Sequence, residues 1–233
     1  MKSLNLKTTR KGLGELAYEA VLDSIISLEL KPGQMVSEFE VASHLGVSRT
    51  PIREAFRMLT MEDLIEVLPQ RGARIAPISV RKVEETRFVR ECLEVNAFKI
   101  AAQMWDAHTE RFKQLEHRIR SLFREQKLAL QQGERVQFLE LDEDFHRMIL
   151  ELTENQTLLT IVTNMRGHLN RVRYLSLQEL STMAELVNEH EAILNAMISN
   201  DEDMAGKLLE HHLRKLTDEL PHIAAANRSY FVP

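Results

Sequence analysis

The stretch from Val36 to Pro77, VSEFEVASHLGVSRTPIREAFRMLTMEDLIEVLPQRGARIAP, leaves little choice of local fold. Phe39, Val41, Ala42 and Leu45 fit one face of a short helix that Ser37-Glu38 opens and Gly46 ends. Ser48 is expected to cap the next helix, because its hydroxyl can accept from an orphan backbone N–H of the first turn. Pro51 is tolerated there, since first-turn N–H groups have no intrahelical partner. Ile52, Ala55, Phe56 and Leu59 then form a buried face. Arg49, Arg53 and Arg57 recur at i, i+4 and i+8 and make a stripe on another face. Ile65–Leu68 reads as a strand, residues 69–72 as a turn and Ala73–Ile75 as the returning strand. Helix, glycine turn, arginine-striped helix and wing together make a winged helix-turn-helix. Its second helix suits the major groove, where Arg can donate two bonds to guanine O6 and N7.

Net charge at first opposes nucleic acid, since the 233-residue chain carries −5. Residues 1–77 hold 10 Lys/Arg and 10 Asp/Glu, and the remainder holds 20 and 25, so the negative excess belongs to the second part. The first part is neutral overall but concentrates arginine on the second helix and the wing, and that local patch would meet phosphate. The length has room for two domains, placed at residues 1–77 and 78–233. The single cysteine, Cys92, excludes an internal disulfide and is expected as a small buried hydrophobe. No apolar run is long enough to span a membrane and no signal-peptide core follows Met1, so a soluble cytoplasmic protein is expected. Residues 1–12 are polar and basic, and fit either an arm that touches phosphate or a plain tail. Leu13 to Leu28 reads as the first helix.

LGVSRTPIREAFRML followed by PQRGARIAPIS resembles the winged-helix domain of GntR-family transcription factors, over Leu16 to Ser79. The resemblance implies that Arg49, Thr50 and Arg53 read operator DNA and that Arg71 and Gly72 form the wing tip. Some relatives carry a further arginine where this chain has Phe39, so that contact is not expected here.

After a short linker at Ile78-Ser79-Val80, with Ser79 placed as a cap, every segment has a helical period. Val80–Trp105, Thr109–Gln132, Glu134–Leu152, Asn155–Tyr174, Thr182–Ser199 and Asp201–Leu220 each carry apolar residues at 3.6-residue spacing. The connections are short, so neighbours should run antiparallel. Pro221 is expected to end the last helix and the final dozen residues to be loosely held. The fold class is therefore mainly α: an N-terminal winged helix-turn-helix followed by an all-α antiparallel bundle.

Helical wheels place polar residues on the apolar faces of that bundle. Asp142 and His146, four apart, lie among Phe138, Phe145, Ile149 and Leu152, while Glu140, Glu143, Arg147 and Glu151 are expected outward. His190 sits in the stripe of Met183, Leu186, Val187, Leu194 and Met197, and His212 in that of Ala205, Leu208, Leu209 and Leu216. His211 is turned about a quarter turn away. A lone inward histidine is more often a hydrogen-bonded core residue. One carboxylate and three imidazoles from three helices favour a metal instead. Imidazole and carboxylate suit zinc first, with nickel, iron or manganese as alternatives, and leave positions open on a five- or six-coordinate ion.

Asp142-x-x-Phe145-His146, Glu189-His190-x-x-Ile193-Leu194-x-Ala196 and His212-Leu213 resemble the ligand motifs of the FCD effector domain, found in the FadR-type branch of the GntR family. The resemblance implies a metal at Asp142, His146, His190 and His212, at the base of a cavity for a small carboxylic acid such as a sugar acid or organic acid. Members that bind long acyl-CoA lack the full metal set, so a small polar ligand is implied. Arg90, in an Arg-x-x-x-Glu pattern with Glu94, could hold the effector carboxylate or pair internally. Asn170, Arg171, Arg173 and Tyr174 are further cavity candidates.

The reading is a homodimeric regulator, a repressor by the family's common mode, that binds near-palindromic operator DNA and responds to a carboxylate. It is not expected to be an enzyme or to engage a membrane. A metalloenzyme is the rival, but a di-iron bundle needs inward Glu-x-x-His pairs on two helices, and the Glu143 of Glu143-x-x-His146 is expected to point outward. A purely structural metal is the third reading.

Overall fold

The computed structural model describes residues 12–177 and 180–233. The basic arm expected at residues 1–12 lies, apart from Gly12, outside the described residues. The chain divides into two units, residues 1–83 with 224–233, and residues 84–223.

In the first unit α1 (Leu13–Ile26) buries Ala17, Val21, Leu22 and Ile25, and packs on α3 (Arg49–Met61). α2 (Glu38–Leu45) starts at Ser37, whose Oγ accepts the Glu40 N–H at 3.2 Å and donates to Glu40 Oε2 at 2.8 Å. The spacing, serine at the N-cap and glutamate three residues on, is that of a capping box, with Glu40 here taking the Ser37 hydroxyl rather than its backbone N–H. Gly46 ends the helix in the left-handed conformation (φ 69°), which costs a glycine little. Ser48 differs from expectation: it is the N-cap residue of α3, but its exposed side chain makes no capping bond. Water can satisfy first-turn N–H groups at such an open end.

Ile52, Ala55, Phe56 and Leu59 are buried as the spacing predicts, and α3 packs on α1, α2 and the strand at Ile65–Leu68. The wing is β2 (Ile65–Leu68) and β3 (Gly72–Ile75), antiparallel, with Ile65 opposite Ile75 and Leu68 opposite Gly72. A third strand, β1 (Met35–Val36), adds to the other side of β3, giving the order β1-β3-β2. β4 (Ile78–Ser79) pairs in parallel with β5 (Phe231–Val232) from the end of the chain.

The second unit is helical. α4 (Val80–Met104) is opened by Ser79, whose Oγ accepts the Lys82 N–H at 3.2 Å, as expected. It is followed by α5 (Glu110–Gln132), α6 (Arg135–Leu150), α7 (Gln156–Ser176), α8 (Leu180–Ile198) and α9 (Glu202–Ala226). α6 ends in a 3₁₀ turn at Glu151–Thr153. Left-handed Gly133 turns α5 into α6, and left-handed Asn200 sits between α8 and α9. α5 packs on α6 and α8, and α6 on α7. Phe98, Phe123, Phe138 and Phe145 are fully buried. Phe145 meets Phe98 edge-on at 5.8 Å and Phe123 at 5.1 Å, an arrangement that aromatic quadrupoles favour.

Three expectations are corrected here. Pro221 lies inside α9, which runs on to Ala226. Its ring removes the bond to the carbonyl of Thr217, an exposed position where water can replace it. The last residues are not loose either: a 3₁₀ turn at Arg228–Tyr230 leads into β5. Cys92 is exposed, on the same open face of α4 as Phe88.

Candidate functional site

The first unit presents the arginine stripe to solvent. Arg49 and Arg53 keep 59% and 69% of their side chains exposed, and Thr50 and Arg57 are exposed with them. Glu38, at the start of α2, holds the two leading arginines: its Oε2 lies 3.1 Å from Arg49 Nη2 and 3.5 Å from Arg53 Nε. Arg71 and Gly72 are exposed at the tip of the wing. Gly72 has φ +94°, a conformation that L side chains rarely adopt. Phe39 is 68% exposed.

The second unit brings together Asp142 and His146 of α6, His190 of α8 and His212 of α9. All four are buried, and one ligand atom from each lies within 4.8 Å of all the others. His190 Nε2 stands 3.3 Å from His212 Nε2 and 3.4 Å from Asp142 Oδ1. The surroundings fix which nitrogens face inward. His146 Nδ1 lies 2.5 Å from Glu94 Oε2, and His212 Nδ1 lies 2.8 Å from Glu189 Oε2. Each carboxylate accepts a hydrogen bond from Nδ1–H, which holds the proton there and turns the Nε2 lone pair towards the centre. His146 Nε2 and Asp142 Oδ2 have no hydrogen-bond partner, although buried. Lone pairs and a carboxylate aimed at one point in a dry interior repel one another unless a cation is shared between them. The donor set therefore fits a divalent metal.

Electrostatics agree with that assignment. Burial pushes the His190 imidazole well below its ordinary value, and also lowers His212, so both favour the neutral, ligating form. Burial alone would raise the Asp142 carboxyl, but Arg173, His190 and His146 outweigh it and hold it well below the usual range. Arg173 Nη2 lies 2.6 Å from Asp142 Oδ1. Burial likewise opposes ionisation of Glu94, yet Arg90 and His146 lower it to about 2. Glu94 Oε1 takes the Arg90 Nε–H at 2.5 Å while Oε2 serves His146.

A cavity opens beside His212, lined by Arg87, Arg90, Arg173 and Lys215 together with leucines that include Leu169 and Leu216. Arg90 and Arg173 thus stand at the cavity. The other effector candidates are engaged elsewhere. Asn170 donates to Glu143 Oε1, Arg171 is fully buried with Nη2 3.3 Å from His168 Nδ1, and Tyr174 has Arg135 over its ring at 5.8 Å. Glu143 is not outward: it faces α7, taking hydrogen bonds from Arg166 and Asn170. Burial raises its carboxyl. His211 is exposed. Glu94 and Glu189 as backing carboxylates, and Arg87 and Lys215 at the cavity, were missed from the sequence. The i, i+4 step from Arg90 to Glu94 and the Glu189-His190 neighbours were the available signals.

A winged helix with exposed arginines, joined in one chain to a helical bundle with a buried Asp/His group, is the architecture of a DNA-binding transcriptional regulator. Residues 13–75 match the bacterial regulatory proteins of the gntR family, and residues 85–215 match the FCD domain. The chain belongs to the GntR family, with an FCD domain after its helix-turn-helix. It is 29% identical over 214 residues to the HTH-type transcriptional repressor RspR of Escherichia coli K12, covering 92% of this chain and 91% of that one. It is 30% identical over 232 residues to an HTH-type transcriptional regulator in an unstable DNA locus of Streptomyces ambofaciens, covering 99% and 93%. The solved structure of E. coli McbR/YncC shares the fold at a TM-score of 0.78 and 18% identity, over 91% of this chain and 98% of that one. Among the described residues no helix is long and apolar enough to cross a membrane.

Proposed function

We propose that this regulator is a homodimeric repressor whose operator binding is set by a small carboxylate, sensed beside a zinc-type metal centre. Residues 1–77 bind DNA, and residues 78–233 dimerise and sense. Arg49, Thr50 and Arg53 contact the operator from α3, with Arg71 and Gly72 at the wing. Asp142, His146, His190 and His212 hold the metal, with nickel, iron or manganese as chemical alternatives to zinc.

The observation that carries the reading is the continuity of ligand set and cavity. His212 belongs to both, and Arg87, Arg90 and Arg173 surround the same space. When bound, a divalent ion would supply positive charge and open coordination positions to a carboxylate. Arg90 and Arg173 give planar donors that suit a carboxylate, and Leu169, Leu213 and Leu216 keep competing water away. An acid with further hydroxyls, such as a sugar acid or short organic acid, fits this mixture of donors and apolar wall. The repressor sense is supported by relatives such as RspR.

The test is metal content and operator affinity, with and without a panel of such acids, for wild type, His190→Ala and His211→Ala. His190→Ala should lose metal and acid response while keeping operator binding. His211→Ala should behave as wild type, because that side chain is exposed. Full metal and a normal response in His190→Ala would overturn the assignment.

A further inference from the structure

Two of the three metal-site histidines have a visible outer partner, and the third does not. His146 is backed by Glu94 and His212 by Glu189, whereas His190 Nδ1 is buried with no hydrogen-bond partner. Asp142 Oδ2, another buried atom of the same cluster, is also without one. Further orphans lie in this interior: Nη1 of Arg173, whose Nη2 pairs with Asp142 Oδ1, and the side-chain amide of Gln126. Gln126 on α5 is fully buried, and neither its Oε1 nor its Nε2 has a partner.

The packing places Gln126 against the same two helices. It follows Phe123 by three residues on the buried face of α5, and the Phe123 ring meets Phe145 of α6 at 5.1 Å and His190 of α8 at 6.0 Å. Lys127, next to Gln126, pairs with Glu191, next to His190, at 2.6 Å. Gly133 turns α5 directly into α6, so Gln126 and Asp142 sit at similar distances from the turn on adjoining helices.

We infer that Gln126 is a positioning residue of the metal centre, its amide oxygen accepting the His190 Nδ1 proton and its amide N–H₂ donating to Asp142 Oδ2. A primary amide can do both at once, since it offers an acceptor and two donors on one planar group. The arrangement fixes the His190 tautomer with Nε2 towards the metal, as Glu94 and Glu189 do for the other imidazoles. It also adds no charge where Asp142, Glu94 and Glu189 already supply three. Burying an amide with both ends unmade is costly, so its position is accounted for by partners that close when the centre is loaded. This inference rests on the metal-centre reading.

Gln126→Met keeps the length and much of the volume of the side chain and removes both hydrogen-bonding ends. The measurements are Zn²⁺ affinity by chelator competition, the visible spectrum of the Co²⁺-loaded protein and the thermal midpoint of the metal-free protein. Gln126→Met should weaken Zn²⁺ binding by about 10- to 100-fold and shift the Co²⁺ bands, with the metal-free midpoint unchanged or raised. Glu94→Gln, which alters the backing of His146, is the positive control for the affinity loss. As a check independent of folding, the Zn²⁺-loaded wild type should show a slowly exchanging His190 Nδ1–H in its imidazole ¹H–¹⁵N spectrum. Wild-type affinity and an unchanged Co²⁺ spectrum in Gln126→Met would overturn the inference alone, as would a freely exchanging Nδ1–H in wild type. A wild type that takes up neither metal would overturn the metal-centre reading and this inference with it.

Discussion

Arg53 and Glu38 show how little holds the proposed DNA-contacting arginines in the free protein. Their pair is exposed, and such surface pairs contribute about 0–1 kcal/mol, so a guanine edge can displace the carboxylate. Arg53→Ala should cost about 1–3 kcal/mol at the cognate operator and much less on random DNA, measured by competition binding at fixed salt. An equal loss on both would make Arg53 a phosphate contact. At this scale the sequence was informative where a polar residue broke an apolar stripe. Asp142, His146, His190 and His212 each interrupt such a stripe, and each is buried in one cluster. It was less informative on α7, where His168, Asn170, Arg171 and Arg173 are all buried within one and a half turns. A helix enclosed on several sides has no polar face to read from a wheel, so packing is needed to pick Arg173 out of the cavity candidates Asn170, Arg171, Arg173 and Tyr174. Glu94 was hidden for another reason. Arg90 explains it locally, while its second oxygen serves a histidine 52 residues away.

Among the elements, α4 and α9 are joined by an ion pair that should report on pH. Glu91 of α4 accepts from Arg214 of α9 at 2.7 Å and from Arg87 at 2.5 Å. The Arg214 bond, followed by its charge and that of Arg87, outweighs partial burial and lowers the Glu91 carboxyl below its ordinary value of 4.5. A folded-state pKa below the unfolded one stabilises above the unfolded value, and the gain disappears as pH falls through the folded one. Glu91→Gln should therefore lower the thermal midpoint at pH 7, and the gap from wild type should narrow steadily below about pH 4.5. A gap that stayed constant from pH 7 to pH 3 would show that packing, not ionisation, sets the effect. The long helices were legible because periodicity accumulates over many residues, and most boundaries fall within about two residues of expectation. β1 and β5 were not, since a two-residue strand has no period and its partner is distant in the chain. Pro221 misled because a helix can run through a proline, here where the Thr217 carbonyl it leaves unpaired is at an exposed position open to water.

For the whole molecule, the described residues of one chain hold a single winged helix, and one such domain covers only half of a specific operator. Phe88 and Val89 are exposed on α4, and a second copy of the chain would supply both a cover for apolar surface and the missing half-site reader. A two-fold dimer binds two half-sites in inverted order, and the spacing between them is fixed by geometry rather than by base contacts. Inserting about 5 bp at the centre of the operator turns one half-site to the opposite face of the duplex and should abolish high-affinity binding. Inserting about 10 bp restores the face and should recover part of it, limited by how far the two readers can separate. Arg53→Ala should then weaken binding in both half-sites together, giving a larger loss on the intact palindrome than on an isolated half-site. Sedimentation of a monomer at binding concentrations, or equal affinity for the 0, 5 and 10 bp series, would show that each chain reads DNA alone.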